Sequence, residues 1–154
     1  MTNYSRVYWD SSVWIALIKG ETVDGVDRCR VPRMILEDAA EGKVTIFISR
    51  LVQVEVHKRH GASPLTRSQD DQLQADFFSH EYIKKIDVDA SIAERARQIA
   101  WLHGLKPADA IHVASALKVH AEVLHHWDDH FRSVPTDTLL CAEPVSWSKQ
   151  PGLL

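Results

Sequence analysis

Four acidic residues fall where local structure would favour something else, or at the edge where an α/β protein meets its ligands: Asp10, Glu55, Asp109 and Asp128. Asp10 follows the strand-forming run Val7-Tyr8-Trp9 and precedes Ser11-Ser12, which puts it at a strand's carboxyl end. Glu55 lies three and four residues after Val52 and Leu51, so it shares a helix face with apolar side chains and is expected to be partly buried, in need of a partner. Asp109 occupies the first turn of the most apolar helical stretch, and Asp128 follows a strand candidate in Leu124-His125-His126-Trp127-Asp128-Asp129-His130-Phe131. Each has a purely structural reading. Asp10 can be an N-cap, Glu55 can be neutralised by a nearby Lys or Arg, Asp109 can be favoured by the helix dipole, and Asp128 can be a turn or cap residue.

Taken together, the four share an address. With strands and helices placed as below, all of them can face one cleft at the carboxyl edge of a parallel sheet. Carboxylates gathered in one pocket repel each other, so they either take up protons or hold divalent cations. Hard oxygen donors select Mg²⁺ or Mn²⁺, and a Mg²⁺ site built from a few carboxylates keeps positions open for water and phosphate oxygens. Cations held in this way would support metal-assisted chemistry on a phosphate-bearing ligand.

The elements that must position these acids alternate. A strand over Val7–Trp9 leads into a helix through Val13–Ile18, then a polar turn over Gly20–Gly25. A helical pattern runs from about Asp27 to Glu41, with Gly42 as its terminator. Val44–Ser49 is a second strand, and Ser49 can cap a helix carrying Leu51, Val52, Val54 and Val56. Gly61-Ala62-Ser63-Pro64 breaks the pattern before an amphipathic helix that leads from Thr66 into Phe77 and Phe78. Tyr82–Val88 is a third strand; Asp89 caps the next helix, Gly104 ends it, and Pro107 suits the first turn of the helix over Ala108–Val119. Glu122–Trp127 gives a fourth strand, Asp137–Cys141 a short fifth, and residues 144–154 a C-terminal tail. Such alternation predicts an α/β fold with a mainly parallel sheet covered on both faces.

Composition agrees with one soluble domain over residues 1–154: hydrophobic residues make up 45% and charged residues 25% of the 154. The formal charge of −3 lacks the basic balance of many nucleic-acid binders, so a polyanionic substrate needs bound cations or a local cluster such as His57-Lys58-Arg59-His60. Cys29 and Cys141 are far apart and read as reduced thiols, and the short apolar run Val13–Ile18 resembles neither a signal peptide nor a membrane span, so a cytoplasmic location is expected. Rival constellations are weak. His125, His126 and His130 beside Asp128 suggest a transition-metal site, but adjacent strand residues point to opposite faces. There is no Gly-x-Ser-x-Gly elbow and no phosphate-binding Gly-x-x-x-x-Gly-Lys loop, and an aspartyl-phosphate mechanism would want an acid where Ser12 stands.

The chain resembles the PIN-domain ribonucleases, and within them the VapC-type toxins of bacterial toxin–antitoxin pairs. The pieces that carry the resemblance are Val7-Tyr8-Trp9-Asp10-Ser11-Ser12, Ser49 to Val56, Leu105 to Ala116, and Asp128-Asp129-His130-Phe131, in the family's order over nearly the whole chain. The resemblance implies a PIN-like α/β/α sandwich, with Asp10, Glu55, Asp109 and Asp128 as metal-binding acids and Ser12 as a supporting hydroxyl. It further implies Mg²⁺- or Mn²⁺-dependent cleavage of RNA, a homodimer, and inhibition by a bound antitoxin. His126, two residues before Asp128, departs from the small hydroxyl residue usual there. Two other readings stay open: a catalytically silent module that binds RNA or protein, and a DNA-directed or flap-type nuclease.

Overall fold

The computed structural model describes residues 3–56 and 65–148. The basic cluster at residues 57–60 and the break at residues 61–64 lie outside the described residues.

Strand β1 (Arg6–Trp9) forms because Val7, Tyr8 and Trp9 are bulky side chains suited to a pleated surface, and all three are buried. It becomes the middle of a five-stranded sheet. β4 (Thr45–Ser49) and β5 (Ile83–Ile86) lie on one side, and β6 (Val123–His125) and β7 (Cys141–Ala142) on the other, in the order β5-β4-β1-β6-β7. Every pairing is parallel, and Tyr8 is in register with Phe47 on one side and Leu124 on the other. Burial on both faces explains why the central strands β1, β4 and β6 read as nearly continuous apolar runs rather than alternating ones.

The period of two along β1 divides the core. Val7 and Trp9 face the layer made by α1 (Ser11–Lys19), α2 (Arg30–Ala40), α3 (Arg50–Glu55) and α4 (Arg67–Leu73). Tyr8 faces the opposite layer, made by α5 (Ala90–His103) and α6 (Pro107–Lys118). The expected sandwich is therefore present. In the first layer Trp9 and Trp14 pack with centroids 4.8 Å apart at a tilt of 58°, a geometry worth about 0.5–1.5 kcal/mol beyond the area it buries.

Helix boundaries follow local chemistry. Asp10, Ser49, Thr66 and Asp89 all accept from backbone N–H groups at helix starts, and Gly20 and Gly104 close α1 and α5 at φ 65°. Five features differ from the sequence expectation. The turn over Gly20–Gly25 is a hairpin, β2 (Thr22–Val23) with β3 (Val26–Asp27), turning at Asp24-Gly25, where both φ values are positive (51° and 79°), as a tight hairpin turn demands. This pairing delays α2 to Arg30, and Asp27 instead uses Oδ1 to accept from the Cys29 N–H. The amphipathic helix after Thr66 widens into a π-helical turn over Gln74–Phe78. Pairing with β6 fixes β7 at Cys141–Ala142 rather than upstream of it. Finally, the described part of the tail packs down: Trp147 is buried and donates from Nε1 to Asp38 Oδ2 at 2.8 Å. No helix among the described residues is long and apolar enough to cross a membrane.

Candidate functional site

Asp10 stands where β1 ends. Its backbone N–H still reaches the His125 carbonyl of β6, so its side chain emerges at the carboxyl edge of two adjacent strands. Oδ1 accepts from the Ser12 N–H at 3.0 Å and the Ser12 hydroxyl at 2.5 Å, while Ser12 Oγ accepts from the Trp127 N–H at 2.9 Å. Ser12 thus ties the first acid to the segment leading into Asp128. The N-cap and the functional reading of Asp10 coexist, because capping engages Oδ1 and leaves Oδ2 without a hydrogen bond among the described residues.

The other acids arrive from separate elements. Glu55 closes α3, Asp109 lies in the first turn of α6, and Asp128 follows β6. All four line one cleft of about 280 Å³, together with Ser11, Ile15, Lys106, Ala108, His112 and His130. Asp10 and Asp109 are buried, whereas Glu55 and Asp128 are half-buried.

Burial raises the pKa of Asp10 above the ordinary carboxylate range against the pull of His112, Ser12 and His126, and the neighbouring Asp128 adds to the rise. Burial likewise raises Asp109, opposed by His130 and His112 and reinforced by Glu55. Among the described residues no Lys or Arg forms an ion pair with Asp10, Glu55 or Asp109. Glu55 finds its partner in His112, whose Nε2 lies 2.5 Å from Oε1, rather than in the Lys or Arg that a structural reading would supply. His130 Nδ1 stands 3.4 Å from Asp109 Oδ1.

As placed, no three His, Cys, Asp or Glu side chains among the described residues close around one point that an ion could fill. The donor set nonetheless suits a hard cation in kind. It offers desolvated, mutually repelling carboxylate oxygens, and Mg²⁺ is commonly held by one or two carboxylates with water completing its octahedron.

The histidine cluster is dispersed as strand alternation requires. His125 turns into the core, accepts from Trp9 Nε1 at 3.1 Å and has its pKa pushed down to about 3 by burial. His126 Nδ1 pairs with the Asp128 carbonyl oxygen at 2.6 Å. Only His130 reaches the cleft lining. Sequence reasoning missed His112 and Lys106 as parts of the cleft. His112 had a readable signal, a polar residue three positions after Asp109 on an otherwise apolar helix and so on the same face; Lys106 had none beyond preceding the Pro107 helix start.

The PIN domain family model matches residues 7–136, and the chain belongs to the PIN domain family. No curated protein matches the sequence. Among solved structures, a toxin–antitoxin complex from Klebsiella pneumoniae aligns with a TM-score of 0.61 at 23% identity, covering 90% of this chain and 97% of its counterpart. VapBC2 from Rickettsia felis, bound to a DNA fragment from its promoter, aligns at 0.61 and 19% identity, covering 88% and 96%. Mycobacterium tuberculosis VapC20, a toxin that cleaves the sarcin–ricin loop, aligns at 0.58 and 19% identity, covering 82% and 93%.

Proposed function

We propose that the cleft is the active site of a divalent-cation-dependent endoribonuclease, and that the chain is the toxin of a toxin–antitoxin pair. The observation that carries this reading is the meeting of Asp10, Glu55, Asp109 and Asp128, from four separated parts of a PIN domain, in one partly desolvated cleft. Asp10 and Asp109 would be the principal ligands of Mg²⁺ or Mn²⁺, with Glu55 and Asp128 completing the set. When bound, the cation lowers the pKa of a water and neutralises charge on the phosphate. Ser12 holds Asp10 in place. At the cleft lining, Lys106 offers positive charge and His130 a hydrogen-bonding ring nitrogen to the flanking phosphates. In-line attack by water leaves a 5′-phosphate and a 3′-hydroxyl.

The toxin–antitoxin and VapC likenesses support an antitoxin as the inhibiting partner. Trp101 and Leu102, 84% and 76% exposed near the end of α5, offer apolar surface for a second copy in a cytoplasmic homodimer.

The test is a mixed RNA pool incubated with purified protein, freed of bound inhibitor, in Mg²⁺, in Mn²⁺ and in chelator, beside Asp10→Asn. Cleavage lost in chelator and in the variant is the expected result. Cutting of branched DNA but not RNA would replace the reading with a flap-type nuclease, and neither cleavage nor metal binding would replace it with a silent binding module.

A further inference from the structure

The cleft holds one carboxylate whose support is unlike the others. Glu55 ends α3, a helix of only six residues, which is too short to hold its own shape or to fix a side chain at its last position. Both ends of α3 are tied to a buried polar chain instead. At the start, Ser49 accepts from the Leu51 N–H through Oγ, and its own N–H donates to Tyr8 Oη at 3.1 Å. Tyr8 Oη lies 2.6 Å from His112 Nδ1, and His112 Nε2 lies 2.5 Å from Glu55 Oε1. Tyr8 is wholly buried and His112 is 2% exposed.

Proton positions follow from counting donors. Tyr8 Oη accepts from Ser49, so its own hydrogen has His112 Nδ1 as its acceptor. In the neutral imidazole Nδ1 is then the bare nitrogen and Nε2 carries the hydrogen, which is donated to Glu55 Oε1. The opposite tautomer would set two donors against Tyr8, strand the phenolic hydrogen, and turn a lone pair of Nε2 towards a carboxylate. Alternation along β1 makes the chain possible, because Tyr8 alone of Val7-Tyr8-Trp9 faces the α6 layer.

We infer that His112, oriented by Tyr8, is the positioning residue for Glu55: it holds Oε1 and leaves Oε2 as the oxygen available to a cation. The inference rests on the four-acid reading of the cleft. Such outer supports of a ligand typically change metal affinity 10- to 100-fold when removed.

The experiment measures Mn²⁺ affinity by calorimetry on the full chain, without substrate, for wild type, His112→Ala, His112→Gln, Tyr8→Phe and Val113→Ala. His112→Ala is expected to weaken Mn²⁺ binding tenfold or more, and His112→Gln, whose amide can donate to Glu55, to restore most of it. Tyr8→Phe should weaken binding several-fold. Val113→Ala, a core truncation on the same helix, should lower the melting temperature and leave the affinity at the wild-type value. In the ¹⁵N spectrum of the wild type at alkaline pH, His112 should carry its proton on Nε2. Wild-type affinity in His112→Ala, equal weakening in Val113→Ala, or a proton on Nδ1 would each overturn the inference while leaving the cleft's assignment standing. A wild type that binds no Mn²⁺ would overturn the four-acid reading and this inference with it. Should His112→Ala fail to fold, Tyr8→Phe and the wild-type spectrum decide.

Discussion

Asp10 illustrates how one side chain carries opposed demands. Its Oδ1 stabilises the start of α1, yet burial holds its pKa above the value it has in the unfolded chain. The folded state therefore binds more protons than the unfolded state between the ordinary carboxylate pKa and the raised one, and metal-free stability falls as pH rises through that window. Asp10→Asn keeps the cap acceptor and removes the buried charge. It is expected to melt higher than the metal-free wild type at neutral pH, by about 1 kcal/mol or roughly 2–4 °C, with the difference shrinking as the pH drops below the raised pKa. Thermal melts of the two proteins in chelator across pH would check this, and a variant less stable at neutral pH would show that the charge is better compensated than its surroundings suggest. The same protons compete with a cation, so Mn²⁺ affinity should weaken on acidification.

Among the elements, those defined by nearest-neighbour chemistry were legible in the sequence. Asp10, Ser49 and Asp89 mark helix starts by their own side chains, and Gly104 marks a helix end by its φ of 65°. What was hidden depends on distant partners. The Asp24-Gly25 hairpin carries a recognisable turn pair, but its strands are two residues each and show no alternation to read. His112 was visible as a polar residue on an apolar helix, yet only the parallel register brings Tyr8 and Glu55 to it. Trp147 was likewise read as part of a tail, because nothing local announces that buried Asp38 of α2 awaits its indole. Trp147→Phe keeps an aromatic side chain at the site but removes the indole donor to Asp38 Oδ2 and part of the packed volume. A loss of about 1–3 kcal/mol is expected, read as a lower denaturation midpoint with an unchanged slope.

At the scale of the whole molecule, the net charge of −3 and the four-acid cleft make the metal-free protein a poor host for a polyanion. Divalent cations should act on stability as well as on activity. At about one hundred times its Kd, an ion that binds only the folded state adds roughly 2.7 kcal/mol, equivalent to about 5–10 °C at this chain length. Mn²⁺ should therefore raise the wild-type melting temperature by that order and leave Asp10→Asn nearly unmoved; an equal rise in both would place the binding elsewhere. The strand order adds a consequence in time. β1 pairs with β6, so Val7 waits for Val123, and the cleft lacks Asp128 and His130 until the chain beyond β6 has left the ribosome. At bacterial and eukaryotic elongation rates that wait is on the order of ten seconds. If the cleft cuts RNA as proposed, the translation machinery making this chain is spared its activity throughout, because a nascent chain that stops short of β6 carries the first acids without an enclosure to use them in.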